Sequence, residues 1–151
     1  MGPILLRPES RGTILLASND AFTPPVVDAN YLATKHDIDM LVYGFKLGTK
    51  IIHSSNAFEG WYWPNEHVDD MTDEEIADHV RNTCETIYHP MCSAKMGPDA
   101  KDSVVDARLM VHGVDHLRVV DASVFPTPLA CHPCGPVVMV AEKAADMIKN
   151  E

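Results

Sequence analysis

The stretch from Phe125 to Pro136, FPTPLACHPCGP, holds four prolines in twelve residues and sets the strongest limit on the fold. Proline lacks a backbone N–H and fixes its own φ, so such a run is predicted to be irregular, neither sheet nor helix. The flanks are regular in pattern. Leu117-Arg118-Val119-Val120 reads as a strand ending at Asp121. Val137 to Asn150 reads as a helix, with Val137, Val140, Ala141, Ala144, Ala145 and Ile148 on its apolar face. The chain therefore closes as strand, proline-rich loop and helix.

Upstream, Thr13-Ile14-Leu15-Leu16 is a short β-prone run, and Ser18 to Pro25 has loop composition. Thr34 is placed to cap a helix striped by Ile38, Leu41, Val42 and Phe45. That helix is predicted to reach at least Lys46 and to extend toward Ile52, with Gly48 weakening its last turn. His53 to Asp70 lacks a period and contains both tryptophans, in Trp61-Tyr62-Trp63-Pro64, which read as core or lid packing. Thr72-Asp73-Glu74-Glu75 is a capping box that opens a helix through Ile76, Val80, Cys84 and Ile87. After Tyr88 the chain is turn-rich, with Val104-Val105 and Leu109-Met110-Val111 as short strands and a turn at His112-Gly113. The expectation is one compact α+β unit.

Charge and hydropathy remove several functions. Lys and Arg number 12 against 22 Asp and Glu, a formal net charge of −10, which would repel a phosphate backbone. No nucleic-acid partner is expected. No apolar run approaches the roughly 18–20 residues of a membrane-spanning helix, so no membrane span is expected. The first residues show no basic stretch followed by an apolar segment, so no signal peptide is expected in this chain, and localisation stays open. Four cysteines are too sparse to staple a small fold.

Three constellations carry chemistry. His89-Pro90 and His132-Pro133 each place an imidazole in a proline-bounded loop, where the following proline holds the histidine backbone extended. Two such rings on one pocket would do acid–base work near neutral pH; two unrelated surface histidines is the blander account. His89-x-x-Cys92 with Cys131-x-x-Cys134 is a ligand set that suits tetrahedral zinc. Cys131-His132-Pro133-Cys134, directly before the last helix, has the spacing of a redox pair.

The segment from Tyr88 to Lys149 contains the blocks YHPMCSAKMG, VHGVDHLRVVDASVFP and AEKAADMI. It closely resembles the C-terminal region of the glucose–methanol–choline (GMC) oxidoreductases, flavoproteins that oxidise alcohols. LLRPESRGTILL and VVDANYL upstream are similar to the same family, so the resemblance runs from about Pro3 to Asn150. Two departures stand out. The chain lacks the family's G-x-G-x-x-G dinucleotide fingerprint, and it has Cys92-Ser93 where the family usually has glycine then threonine.

The resemblance implies an α+β fold: a substrate-domain sheet backed by helices, then a strand–loop–helix that completes an FAD domain. Residues 1–103 would be mostly substrate-binding, and 104–151 would return to the FAD domain. Its two active-site positions fall on His89 and His132. Its flavin contacts fall on Asp121 and Ala122, and on Pro133 and Cys134. The implied function is the substrate-binding and catalytic C-terminal part of an FAD-dependent alcohol oxidoreductase, with hydride passing from alcohol to flavin and histidine as base. FAD is the implied cofactor and a small alcohol the implied substrate. An N-terminal FAD-binding half, in cis or in trans, is the implied partner, and no resident metal is expected. Two alternatives stay open: a catalytically silent fragment that needs a flavoprotein partner, and a Cys/His metal-binding module. Trp61, Tyr62 and Trp63 are read as shaping substrate access, and Cys131 and Cys134 as lining the flavin pocket or pairing as a disulfide.

Overall fold

Thr34 does cap a helix, and its neighbour Asp37 does something the periodicity does not announce. In the computed structural model, which describes residues 2–54, 56–58 and 70–151, helix α1 spans Lys35–His53. The Thr34 hydroxyl accepts from the Asp37 amide at 3.3 Å. The Asp37 carboxylate, only 1% exposed, accepts from the amides of Glu9 (2.8 Å) and Ser10 (2.9 Å) and from the Ser10 hydroxyl. Ser10 Oγ accepts in turn from the Thr34 amide at 3.2 Å. One buried carboxylate thus clasps the N-terminal segment onto the first turn of α1.

The chain divides into two units, Met1–Glu85 and Thr86–Glu151, rather than the single unit expected. Each has its own apolar cluster, which is the physical basis of the division. In the first, α1 packs on helix α2, Asp73–Thr83, over Ile38, Val42, Ile76, Ala77 and Val80. Both arms of the predicted capping box form: the Thr72 hydroxyl accepts from the Glu75 amide, and the Glu75 carboxylate accepts from the Thr72 amide. Strand β1, Thr13–Leu15, pairs antiparallel with β2, Val26–Asp28, with Ile14 opposite Val27. Both strands are exposed throughout. Gly12 enters β1 where a Cβ would stand 2.3 Å from the Asp28 carbonyl oxygen, so no larger residue fits there.

Three local expectations change. Helix α2 stops at Thr83 instead of running through Ile87. Asn82 Nδ2 and Thr83 Oγ1 donate to the Asp78 and His79 carbonyls, occupying acceptors of the last turn. Helix α3 spans Cys134–Lys149, so it starts earlier than Val137. Pro136 is its third residue, where the missing N–H would have had no partner inside the helix anyway. The runs at 104–105, 109–111 and 117–120 make single bridges, Val105 with Met96 and Val111, and Met110 with Arg118. None lengthens into a strand among the described residues. Trp61, Tyr62 and Trp63 lie outside the described residues.

The second unit is built on those bridges and on α3. Val105, Leu109, Val124, Phe125, Val140 and Ala144 form its buried cluster. The predicted turn at His112-Gly113 is present, with Gly113 at φ 75. Arg108 and Arg118 both donate to the Glu151 carboxylate at the chain end, and the Arg118 guanidinium holds that carboxyl below its ordinary range. Among the described residues no helix is long and apolar enough to cross a membrane.

Burial pushes the Asp37 carboxyl up, but the Ser10 hydroxyl, the Glu9 and Ser10 amides and Thr34 together hold it below the ordinary carboxylate range. A carboxylate lowered in the folded state stabilises that state above its unfolded pKa of about 3.9, and the contribution is lost as pH falls through the folded value. Asp37→Ala orphans those donors and is expected to cost about 1–3 kcal/mol at neutral pH. Urea unfolding between neutral and acid pH checks this: the gap between wild type and variant should close on acidification. A gap that stays constant with pH would contradict it.

Candidate active site in the second unit

His89 sits on a stiff loop. Pro90 restricts its backbone from one side. Tyr88 at φ 60 and Cys92 at φ 72 bracket it in the left-handed region, where a non-glycine residue costs about 1–2 kcal/mol. Hydrogen bonds hold this strained backbone. The Tyr88 amide donates to Thr86 Oγ1 at 3.0 Å, and the Cys92 amide donates to the Ala122 carbonyl at 3.3 Å.

The run after His89 is then stitched down in steps of two. The Ala94 amide donates to the Ser123 carbonyl (3.0 Å) and the Met96 amide to that of Val124 (2.8 Å). Those acceptors belong to a one-turn 3-10 helix, Ala122–Val124, capped by Asp121. Asp121 Oδ1 accepts from the Ser123 amide at 2.8 Å and from the Ser123 hydroxyl. The hydroxyl first, and then the amide, hold the Asp121 carboxyl below its ordinary range. Val124 and Phe125 follow as buried residues, so the proline-rich loop leaves from a fixed base.

That loop returns His132 to His89. His89 Nε2 and His132 Nδ1 are 2.7 Å apart, and the rings meet edge to face at 88° with centroids 5.0 Å apart. One ring donates and the other accepts, so at most one of them is cationic while the bond stands. His89 is half-buried and His132 exposed, which leaves the pair open to a small molecule. Directly beyond His132, Pro133 caps α3 without any side-chain bond, and the first turn of α3 carries no acidic residue. The Cys134 and Gly135 amides and the positive end of the helix dipole suit an electron-rich oxygen.

The expected zinc set does not assemble. His89, Cys92, Cys131 and Cys134 do not gather as a zinc set, and among the described residues no three His, Cys, Asp or Glu do so. The reason is geometric: the His89 ring is turned onto His132, while Cys131 and Cys134 stand exposed. A groove of about 630 Å³ in the first unit runs along Ile38, Val42, Lys46, Asp73 and Ala77, and it contains neither histidine nor cysteine. The stitch through Cys92, Ala94 and Met96 is the part that sequence reasoning missed. Its signal was the alternation with Ser93 and Lys95 inside a stretch dominated by turn residues.

A family model described as GMC oxidoreductase matches residues 8–141. An alcohol dehydrogenase (acceptor) of Pseudomonas putida is 39% identical over 95% of this chain and 26% of its own length. An oxygen-dependent choline dehydrogenase of Staphylococcus haemolyticus is 43% identical over 94% of this chain and 26% of its own. A formate oxidase of Aspergillus oryzae, solved as a variant affecting FAD modification, matches with a TM-score of 0.84 at 33% identity. It covers 97% of this chain and 26% of that one. The chain spans about a quarter of the length of the relatives it matches.

Removing one imidazole should be felt by the other. In His132→Ala the ring nitrogen signals of His89 are expected to move in a ¹⁵N NMR spectrum, because its Nε2 exchanges an imidazole partner for water. Unmoved His89 signals would rule out the bond between the two rings.

Proposed function

The chain belongs to the GMC oxidoreductase family, matching its C-terminal domain, and on that premise we propose that His89 and His132 are the alcohol-handling pair of a flavin-dependent oxidoreductase. One observation carries the proposal: the 2.7 Å approach of the two rings, made by loops 43 residues apart in sequence. In the absence of alcohol the nitrogens satisfy each other. An alcohol hydroxyl is one donor and one acceptor, so it has the pattern needed to enter between them. Its O–H donates to the lone pair of one ring, and its oxygen accepts from the N–H of the other.

His89 is then the base that removes the hydroxyl proton, and His132 holds the oxygen and shares the proton. Their stiff loops fix this arrangement before the alcohol arrives, which lowers the entropic cost of orienting it. FAD would supply the hydride acceptor, which no amino-acid side chain provides. Asp121 and Ala122, with Pro133 and Cys134 at the start of α3, are the residues of this chain that would face its ring through backbone groups. The nucleotide end of FAD must be held elsewhere, because the sequence has no G-x-G-x-x-G. On this proposal residues 1–103 mostly bind substrate, and residues 104–151 return to the flavin domain.

A second proposal is a catalytically silent fragment or subunit that pairs with a flavoprotein partner. The departure at Cys92-Ser93, where the family usually has glycine then threonine, supports it. One experiment separates the two: joining the chain to the flavin-binding portion of a relative, such as the Pseudomonas putida enzyme, and following flavin bleaching by alcohols. His89→Ala and His132→Ala are each expected to lower turnover by about 10²–10⁴ while flavin stays bound. His112→Ala, whose ring is occupied by Ser103 and the Gly97 carbonyl, should leave turnover in place. Bound flavin that no alcohol bleaches, in the unsubstituted chain, would favour the silent subunit. Unchanged turnover in either of the first two variants would refute the assignment of the pair.

A further inference from the structure

We propose that Cys131 and Cys134 form an oxidisable thiol pair whose closure to a disulfide pulls His132 away from His89. Both side chains are thiols and both are exposed. Only His132 and Pro133 lie between them, so the pair brackets the very imidazole that makes the 2.7 Å contact. The two thiols differ in how firmly they are held. Cys134 is fixed as the first residue of α3, where the Val137 amide donates to the Pro133 carbonyl at 2.9 Å. Cys131 belongs to the irregular loop that leads in.

A disulfide needs Cα atoms about 4.4–6.8 Å apart, a separation that a tight four-residue turn from Cys131 to Cys134 would supply. Pro133 already has helical backbone angles, φ −77 and ψ −10, and its ring forbids much change in φ. Pro133 also biases His132 toward extended backbone, so closing the turn must rotate His132 out of that conformation together with Cys131. A hydrogen bond between ring nitrogens survives only a few tenths of an ångström of added length before it weakens steeply. Turning the His132 backbone carries the imidazole beyond that tolerance, and closure of the dithiol opens the histidine pair.

The redox balance is simple with a peroxide as oxidant. One sulfur attacks an oxygen of hydrogen peroxide; the O–O bond breaks, hydroxide leaves, and a sulfenic acid remains. The second sulfur attacks the first, the S–O bond breaks, and the hydroxyl departs as water. Two thiols lose two protons and two electrons, and the peroxide is reduced to two waters. A dithiol reductant reverses the change by exchange. Pair closure stands apart from alcohol chemistry, and only its consequence for turnover rests on the role given to His132 above.

The test uses the full chain, reduced, freed of reductant and then exposed to hydrogen peroxide, with no alcohol present. Intact mass should fall by two hydrogens, and peptide mapping should find Cys131 linked to Cys134 within one molecule. In ¹³C-resolved NMR spectra the ring signals of His89 and His132 should shift together, and both should recover with dithiothreitol. Cys131→Ser and Cys134→Ser should each abolish the link and the shift. Oxygen addition without a link, a link between chains, or a link to another cysteine would overturn the proposal. So would closure of the pair with the two histidine signals unmoved. None of these readouts depends on alcohol turnover, so the result is independent of whether the chain oxidises alcohols.

Discussion

Three amides carry the architecture of the site. Those of Cys92, Ala94 and Met96 donate to the carbonyls of Ala122, Ser123 and Val124, tying the segment after one histidine to the base of the loop that bears the other. Each bond alone is worth about 1 kcal/mol. Together they set the distance between two loops, neither of which forms a strand among the described residues. Val124, fully buried, anchors the acceptors, and Asp121 caps them through Ser123. The strain at Tyr88 and Cys92 is tolerated because this stitching over-determines the backbone there. The approach of the two imidazoles rests on these contacts.

Local signals were the ones legible in the sequence. The stripe from Ile38 to Phe45, the Thr34 cap and the Thr72–Glu75 box each act within a few residues, and each appears as read. Interactions across long separations were not legible. The Asp37 clasp joins residues 27 and 28 positions apart, and nothing near Ser10 marks it as a partner for a helix. Strand β2 has only three residues, too few for a period to emerge. The sequence pattern starts α3 late because proline reads as a helix breaker, although a proline in the first turn has no intrahelical bond to lose.

The site was legible in a different way. Residue types and spacing identified His89 and His132 as one of several groupings, with a zinc set and a redox pair equally drawn from the same residues. The family blocks around VHGVDHLRVVDASVFP singled out the pair, and the 2.7 Å contact is a property of the fold that spacing alone does not contain. Backbone at φ 60 and 72 in Tyr88 and Cys92 left no trace in composition, because neither is glycine or asparagine. The two exposed thiols were visible from the start, and what the structure adds is their relation to the imidazole between them.

The central claim is that the gap between His89 Nε2 and His132 Nδ1 is where an alcohol is held. A crystal structure of the chain joined to a relative's flavin-binding portion, with an alcohol bound, tests it most directly. The alcohol oxygen should lie within about 2.6–3.2 Å of both nitrogens, with the direct bond between the rings opened to admit it. An alcohol bound elsewhere, with the two imidazoles still joined, would contradict the account.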